Sequence, residues 1–143
     1  MALAPLPAYA ALSPDGRTFV WLAPRGSDPA HKSRKQISVG EDEAKRLPFE
    51  GDYEIVASQL RKEGWSTERR PAPADLKLEA HLDVKPPKVV LERNGKSVEV
   101  VVGKLPYATG SGIEIWGMSA DAKHVVLHAL EGEHHFAFVA RVP

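Results

Sequence analysis

The sequence predicts an α+β domain, mainly antiparallel β, with about eight strands and one principal helix packed on a sheet face. Three observations carry this expectation. Leu76, Leu78, Ala80, Leu82 and Val84 alternate with Lys77, Glu79, His81 and Asp83, the period of a half-buried strand. Asn94-Gly95 separates two runs rich in valine, which is the preferred pair for a tight hairpin. Between Asp52 and Gly64, the apolar residues Ile55, Val56 and Leu60 fall on one helical stripe, with Tyr53 and Ala57 beside them.

Taken in order, residues 8–23 read as strand, turn, strand. Ser13-Pro14-Asp15-Gly16 supplies the turn, and Thr18-Phe19-Val20-Trp21-Leu22 is β-branched and aromatic. A polar loop is expected over 24–36, with a short strand from Gln36 to Val39. Glu41 to Leu47 is expected to form two helical turns that Pro48 stops. The principal helix follows, with Asp52 as N-cap, Glu54 in the first turn, Arg61 and Lys62 in the last, and Gly64 as its stop. After the Arg69–Ala74 connector comes the alternating strand, which Pro86-Pro87 ends. The hairpin then pairs Leu91 with Val98 and Val89 with Val100. Gly110-Ser111-Gly112 is a loop; a strand follows it, so it lacks the helix that a phosphate loop needs. Ile113–Met118, Lys123–Leu130 and His134–Val142 are the closing strands.

The chain of 143 residues is read as one domain, 1–143, with residues 1–10 as an extended segment or the remnant of an export signal. Ala8-Tyr9-Ala10 has the small-x-small form of a signal-peptidase site, so a periplasmic or extracellular setting is expected ahead of a cytoplasmic one. Lys plus Arg and Asp plus Glu both number 19, which leaves no cationic excess for general nucleic-acid binding. With no cysteine, a disulfide framework, thiol catalysis and a cysteine-based zinc site are excluded. No apolar run approaches the roughly 20 residues of a membrane-spanning helix.

Two stretches echo each other. The run from Ala11 to Val20 aligns with that from Gly117 to Val126, so that Ser13 meets Ser119 and Asp15 meets Asp121. Each reads as a strand, a Ser-x-Asp turn and a second strand. These residues resemble the S-P-D-G hairpins of TolB-like and WD-type propeller blades, and of small predicted secreted proteins that carry such hairpins. The resemblance covers about 30 residues and implies an exported setting; it supplies no functional residues. A complete propeller, which needs at least about four blades of roughly 40 residues, does not fit this length.

Candidate chemistry is sparse. Trp116, Trp21 and Trp65, with Tyr107, are the candidate binding residues, as aromatics that line a ligand or partner groove. Packing in the core is the competing reading. His124 and His128 fall on one strand face, and a two-residue Glu131-Gly132 turn would set His135 opposite His128. Three imidazoles there would suit Zn²⁺ or Cu²⁺. Without a metal-site motif, ordinary half-buried histidines are the preferred reading, and no metal or cofactor is expected. Asp15, Asp121, Ser13 and Ser119 are explained by their turns.

The expected function is therefore non-enzymatic: an exported or envelope-associated binding or accessory domain. It would recognise a protein or peptide partner through a sheet edge or an aromatic-lined sheet face. Two alternatives are a small inhibitor or immunity-type protein that blocks a partner enzyme, and a metal-dependent enzyme built on the histidine hairpin.

Overall fold

The computed structural model describes residues 9–24, 32–41, 43–47, 53–102, 112–131 and 134–143. The described residues form ten strands in three antiparallel sheets, and one helix. The first sheet runs in chain order through β1 (Ala10–Leu12), β2 (Thr18–Pro24), β3 (Lys32–Ser38) and β4 (Lys45–Leu47). The second is β5 (Lys77–His81), β6 (Lys88–Arg93) and β7 (Lys96–Val101). The third is β8 (Ile113–Met118), β9 (His124–Glu131) and β10 (His134–Arg141).

This corrects the expected architecture. About eight strands organised by a principal helix give way to ten strands in three sheets. The helix, α1 (Tyr53–Lys62), has only 10 residues. It contributes to a small satellite cluster, in which Leu60 and Val56 meet Ala11, Val20 and Trp65. Ile55, expected on the buried stripe, is 58% exposed. No helix among the described residues is long and apolar enough to cross a membrane.

The main core joins all three sheets. Phe19 and Trp21 of β2 and Ile37 of β3 share it with Val89 and Leu91 of β6, and with Trp116, Leu127 and Phe138 of the third sheet. The Phe19 ring lies 5.9 Å from that of Trp21 and 4.9 Å from that of Trp116, both tilted. Such tilted pairs add about 0.5–1.5 kcal/mol beyond the area they bury. Because β2 sends Phe19 and Trp21 inward and Val20 outward under α1, both its faces are covered. That is why its sequence is apolar without alternation.

The short strand expected from Gln36 is the end of a longer one, β3, which begins at Lys32 inside the expected polar loop, and the expected two-turn helix is partly a strand. Residues 32–38 pair with β2, with Phe19 opposite Ile37, and Arg34 to Gln36 pair also with β4, with Gln36 opposite Lys45. Residues 45–47 pair with β3 instead of closing a two-turn helix. Backbone pairing with β2, and with β4 at Arg34 to Gln36, answers a demand of the amides and carbonyls that side-chain polarity does not reveal. The alternating strand is also shorter than its pattern: β5 ends at His81, and Val84 is 41% exposed.

The hairpin has the expected register, Leu91 opposite Val98 and Val89 opposite Val100. Asn94 and Gly95 take φ of 53° and 77°, as two consecutive left-handed residues of a tight hairpin must. Its covering is one-sided: Val89 and Leu91 are buried, whereas Val101 is exposed.

Candidate functional site

The two echoed turns have the same hydrogen bonds, atom for atom. Ser13 Oγ donates to Asp15 Oδ1 at 2.7 Å, and Ser119 Oγ to Asp121 Oδ1 at 2.5 Å. The amides of Arg17 and Lys123 donate to those same carboxylate oxygens, each at 3.0 Å. The amides of Thr18 and His124 donate to Ser13 Oγ and Ser119 Oγ at 3.0 and 3.1 Å. The hydroxyl hydrogen bond and the amide hold both carboxylates below the usual Asp range. Asp15 and Asp121 therefore serve as charged caps for their own turns, and no acid pair is formed.

The correspondence extends past the turns. In each unit the third strand returns to the residue after the Asp turn. The Val39 amide donates to the Arg17 carbonyl, and the Val142 amide to the Lys123 carbonyl, both at 2.8 Å. In each unit the first strand ends on the same connector: Leu12 bridges Ser66, and Met118 bridges Arg70. The units are packed together as well as alike. A Cβ at Gly16 would lie 2.6 Å from Ser119 Cβ and 3.4 Å from His124 Nδ1, so only glycine lets the first turn seat on the second. Gly16 also has φ +72°, which L side chains rarely adopt.

A basin of about 470 Å³ opens where these turns meet the tip of the second sheet. Arg17, Arg93, Lys123, His124 and Arg141 line it. Val39, Ala122, Val142 and Pro143 complete its wall. Each cation comes from a position that the fold fixes. Arg17 and Lys123 leave the two turns, and Arg141 ends β10 opposite His124. Arg93 ends β6, with its Nε 3.1 Å from Asp75 Oδ1. His124 is 9% exposed, and its Nδ1 is buried without a hydrogen-bond partner among the described residues. Burial lowers its pKa; Arg17 and Arg141 push the same way, and Asp121 and Asp15 oppose them.

The other candidates are placed as follows. His128 and His135 do meet, with His128 Nε2 2.9 Å from His135 Nδ1 and the rings stacked 5.2 Å apart. They meet diagonally, because Glu131 pairs with His134 and His128 lies opposite Ala137. His124 sits four residues away along the strand, about 13 Å by strand rise, and does not join them. No group of three His, Cys, Asp or Glu side chains among the described residues is placed to hold a metal. Burial pushes the His128 pKa down to about 4, with His135 and Arg69 adding to the effect. Burial lowers His135 too, helped by Lys35 across a cleft of about 140 Å³. At neutral pH this is a pair of uncharged rings, one donating to the other.

The aromatic candidates do not form a shared surface. Trp21 is buried in the core. Trp116 is the extra residue of a β-bulge between Ile115 and Gly117, and its ring is covered by the Arg69 guanidinium at 5.3 Å. Arg69 Nε also donates to the Trp116 carbonyl at 2.9 Å. Trp65 is half-buried in the helix cluster, away from both. Tyr107 and the Gly110-Ser111 loop lie outside the described residues. Arg17, Arg93, Lys123 and Arg141 were missed in the sequence, since no local spacing joins them. The available signal was the echo itself, which places Arg17 and Lys123 at equivalent positions.

Comparison with family models, curated proteins and solved structures finds no match to this chain.

Proposed function

We propose that this is a non-enzymatic binding domain whose ligand sits in the basin between the two Ser-x-Asp turns. One observation carries the reading: two turns with the same bonding are locked face to face at Gly16 and Ser119, and they frame a concave space of about 470 Å³. That volume falls in the range of small-ligand sites, roughly 300–1,000 Å³. The rim is pre-organised, because its turn residues are fixed by their own hydrogen bonds before any ligand arrives. An aromatic-lined face is not part of this proposal, since Trp21 and Trp116 are buried.

The basin is open to test by amide-resolved NMR screening of small-molecule mixtures against the whole chain. Hits should perturb the amides of Arg17, Lys123, His124 and Arg141 together. Hits that perturb only other surfaces would refute the site. Capping of the basin by a partner enzyme, the inhibitor-type alternative, would appear as loss of those hits when that enzyme is added.

A further inference from the structure

The basin gathers four cations from all three sheets, and they outnumber the carboxylates beside them. Arg93 has a counter-charge in Asp75. Arg17, Lys123 and Arg141 have no ion-pair partner among the described residues. Asp15 and Asp121 stay ionised beside Arg17 and Lys123 and offset part of their charge, although each is held within its own turn through one oxygen, which leaves Arg141 as the cation with no carboxylate beside it among the described residues. Single cations on a convex surface are content in water. Several facing one concavity are different: their fields add and focus there, and an anion gains from all of them at once.

Two of the three unpaired groups are arginines, whose planar forks match the paired oxygens of carboxylate or phosphate. His124 is an independent observation. Its ring is almost wholly buried and Nδ1 is sealed and unpartnered, so Nε2 is the nitrogen through which it can meet a ligand. A buried N–H without an acceptor is costly, so a neutral ring here favours the tautomer with its proton on Nε2, where it can donate. Val39, Ala122 and Val142 supply an apolar wall for the body of an organic molecule.

We infer that the basin binds small molecules bearing an oxyanion group of at least two negative charges, gripped by Arg17, Lys123 and Arg141 with His124 as a neutral donor. This rests on the reading of the basin as the ligand site, and it names the ligand chemistry.

The test is an NMR titration of the whole chain with inorganic phosphate, pyrophosphate and citrate in turn, each replacing chloride at constant ionic strength. The phosphate arms and the citrate arm separate a phosphate ester from a polycarboxylate as the natural ligand. Saturable shifts at the amides of Arg17, Lys123, His124 and Arg141 with at least one of the three are expected. The His124 ring should then titrate at higher pH, because bound negative charge favours the imidazolium. Arg17→Gln and Arg141→Gln should each weaken binding about fivefold or more, while Lys62→Gln on the helix leaves it unchanged. Should either glutamine variant fail to fold, Arg17→Lys and Arg141→Lys keep the charge and lose the fork, and still weaken binding.

Shifts that never saturate and spread equally to Lys62 and Lys77 would overturn the inference. So would the absence of any saturable shift with all three anions. If a ligand of another class perturbs the same four amides while these anions do not, the oxyanion assignment falls and the site stands.

Discussion

Acidifying the protein should destabilise it well before its carboxylates titrate, and His128 is the main reason. The ring is 2% exposed and hydrogen-bonded to His135. Its pKa falls from 6.5 to about 4 on folding. The native state therefore binds fewer protons than the unfolded chain between those values, so stability is full above pH 6.5 and falls as the pH drops towards 4. At about 1.4 kcal/mol per unit, the full displacement is worth about 3 kcal/mol. That is a large share of the roughly 5–15 kcal/mol typical of a domain. His135 and His124 are displaced in the same direction and steepen the loss. Asp15, Glu99 and Asp121 are displaced downward as well, from 3.8, 4.5 and 3.8, so their losses begin only below those values. Urea unfolding between pH 7.5 and 4.5 thus isolates the histidines. Wild type should lose about 2 kcal/mol or more between pH 6.5 and pH 4.5. His128→Gln should be less stable at pH 7.5 and should have a shallower slope by about one proton. A stability that stays flat from pH 6.5 to 4.5, or a His128 ring that titrates near 6.5 by NMR, would refute the reasoning.

The turns yield two further expectations. Gly16→Ala combines a left-handed backbone with a Cβ placed 2.6 Å from Ser119 Cβ; it should cost about 2–4 kcal/mol in chemical denaturation, and a cost below about 0.5 kcal/mol would show that the turns do not abut. Ala122 holds the equivalent position in the second unit at φ +60° without glycine; Ala122→Gly should relieve about 1–2 kcal/mol of left-handed strain against about 0.4–1 kcal/mol of added unfolded-state entropy, a net gain of about 0.5–1 kcal/mol in stability, and a lower melting temperature would count against the left-handed assignment.

What the sequence made legible was local. Asn94-Gly95 set the hairpin register, because a two-residue turn leaves no freedom in the pairing. The Ser-x-Asp echo announced two like turns, because each turn's bonds lie within six residues. The histidine pairing was legible as a face and not as a register. Moving the two-residue loop by one position shifts each partner by two, which keeps the face and turns a direct pair into a diagonal one. By contrast, β4 and the first half of β3 were hidden, since Lys32 to Lys35 owes its form to the ladders it joins and not to its own apolar pattern. The division into three sheets was hidden as well, because period-two alternation marks a strand without saying which strand it joins. The basin was the least legible feature. Arg17, Arg93, Lys123 and Arg141 come from four separate segments, brought to one concavity by the seating of one turn on the other, the β9–β10 ladder and the approach of the second sheet.

A nuclear Overhauser spectrum of the assigned protein reads that seating without any mutation. Strong cross-peaks between the α protons of Gly16 and the β protons of Ser119 are predicted. Resolved signals for both residues with no cross-peak between them would separate the two turns, and the basin would go with them.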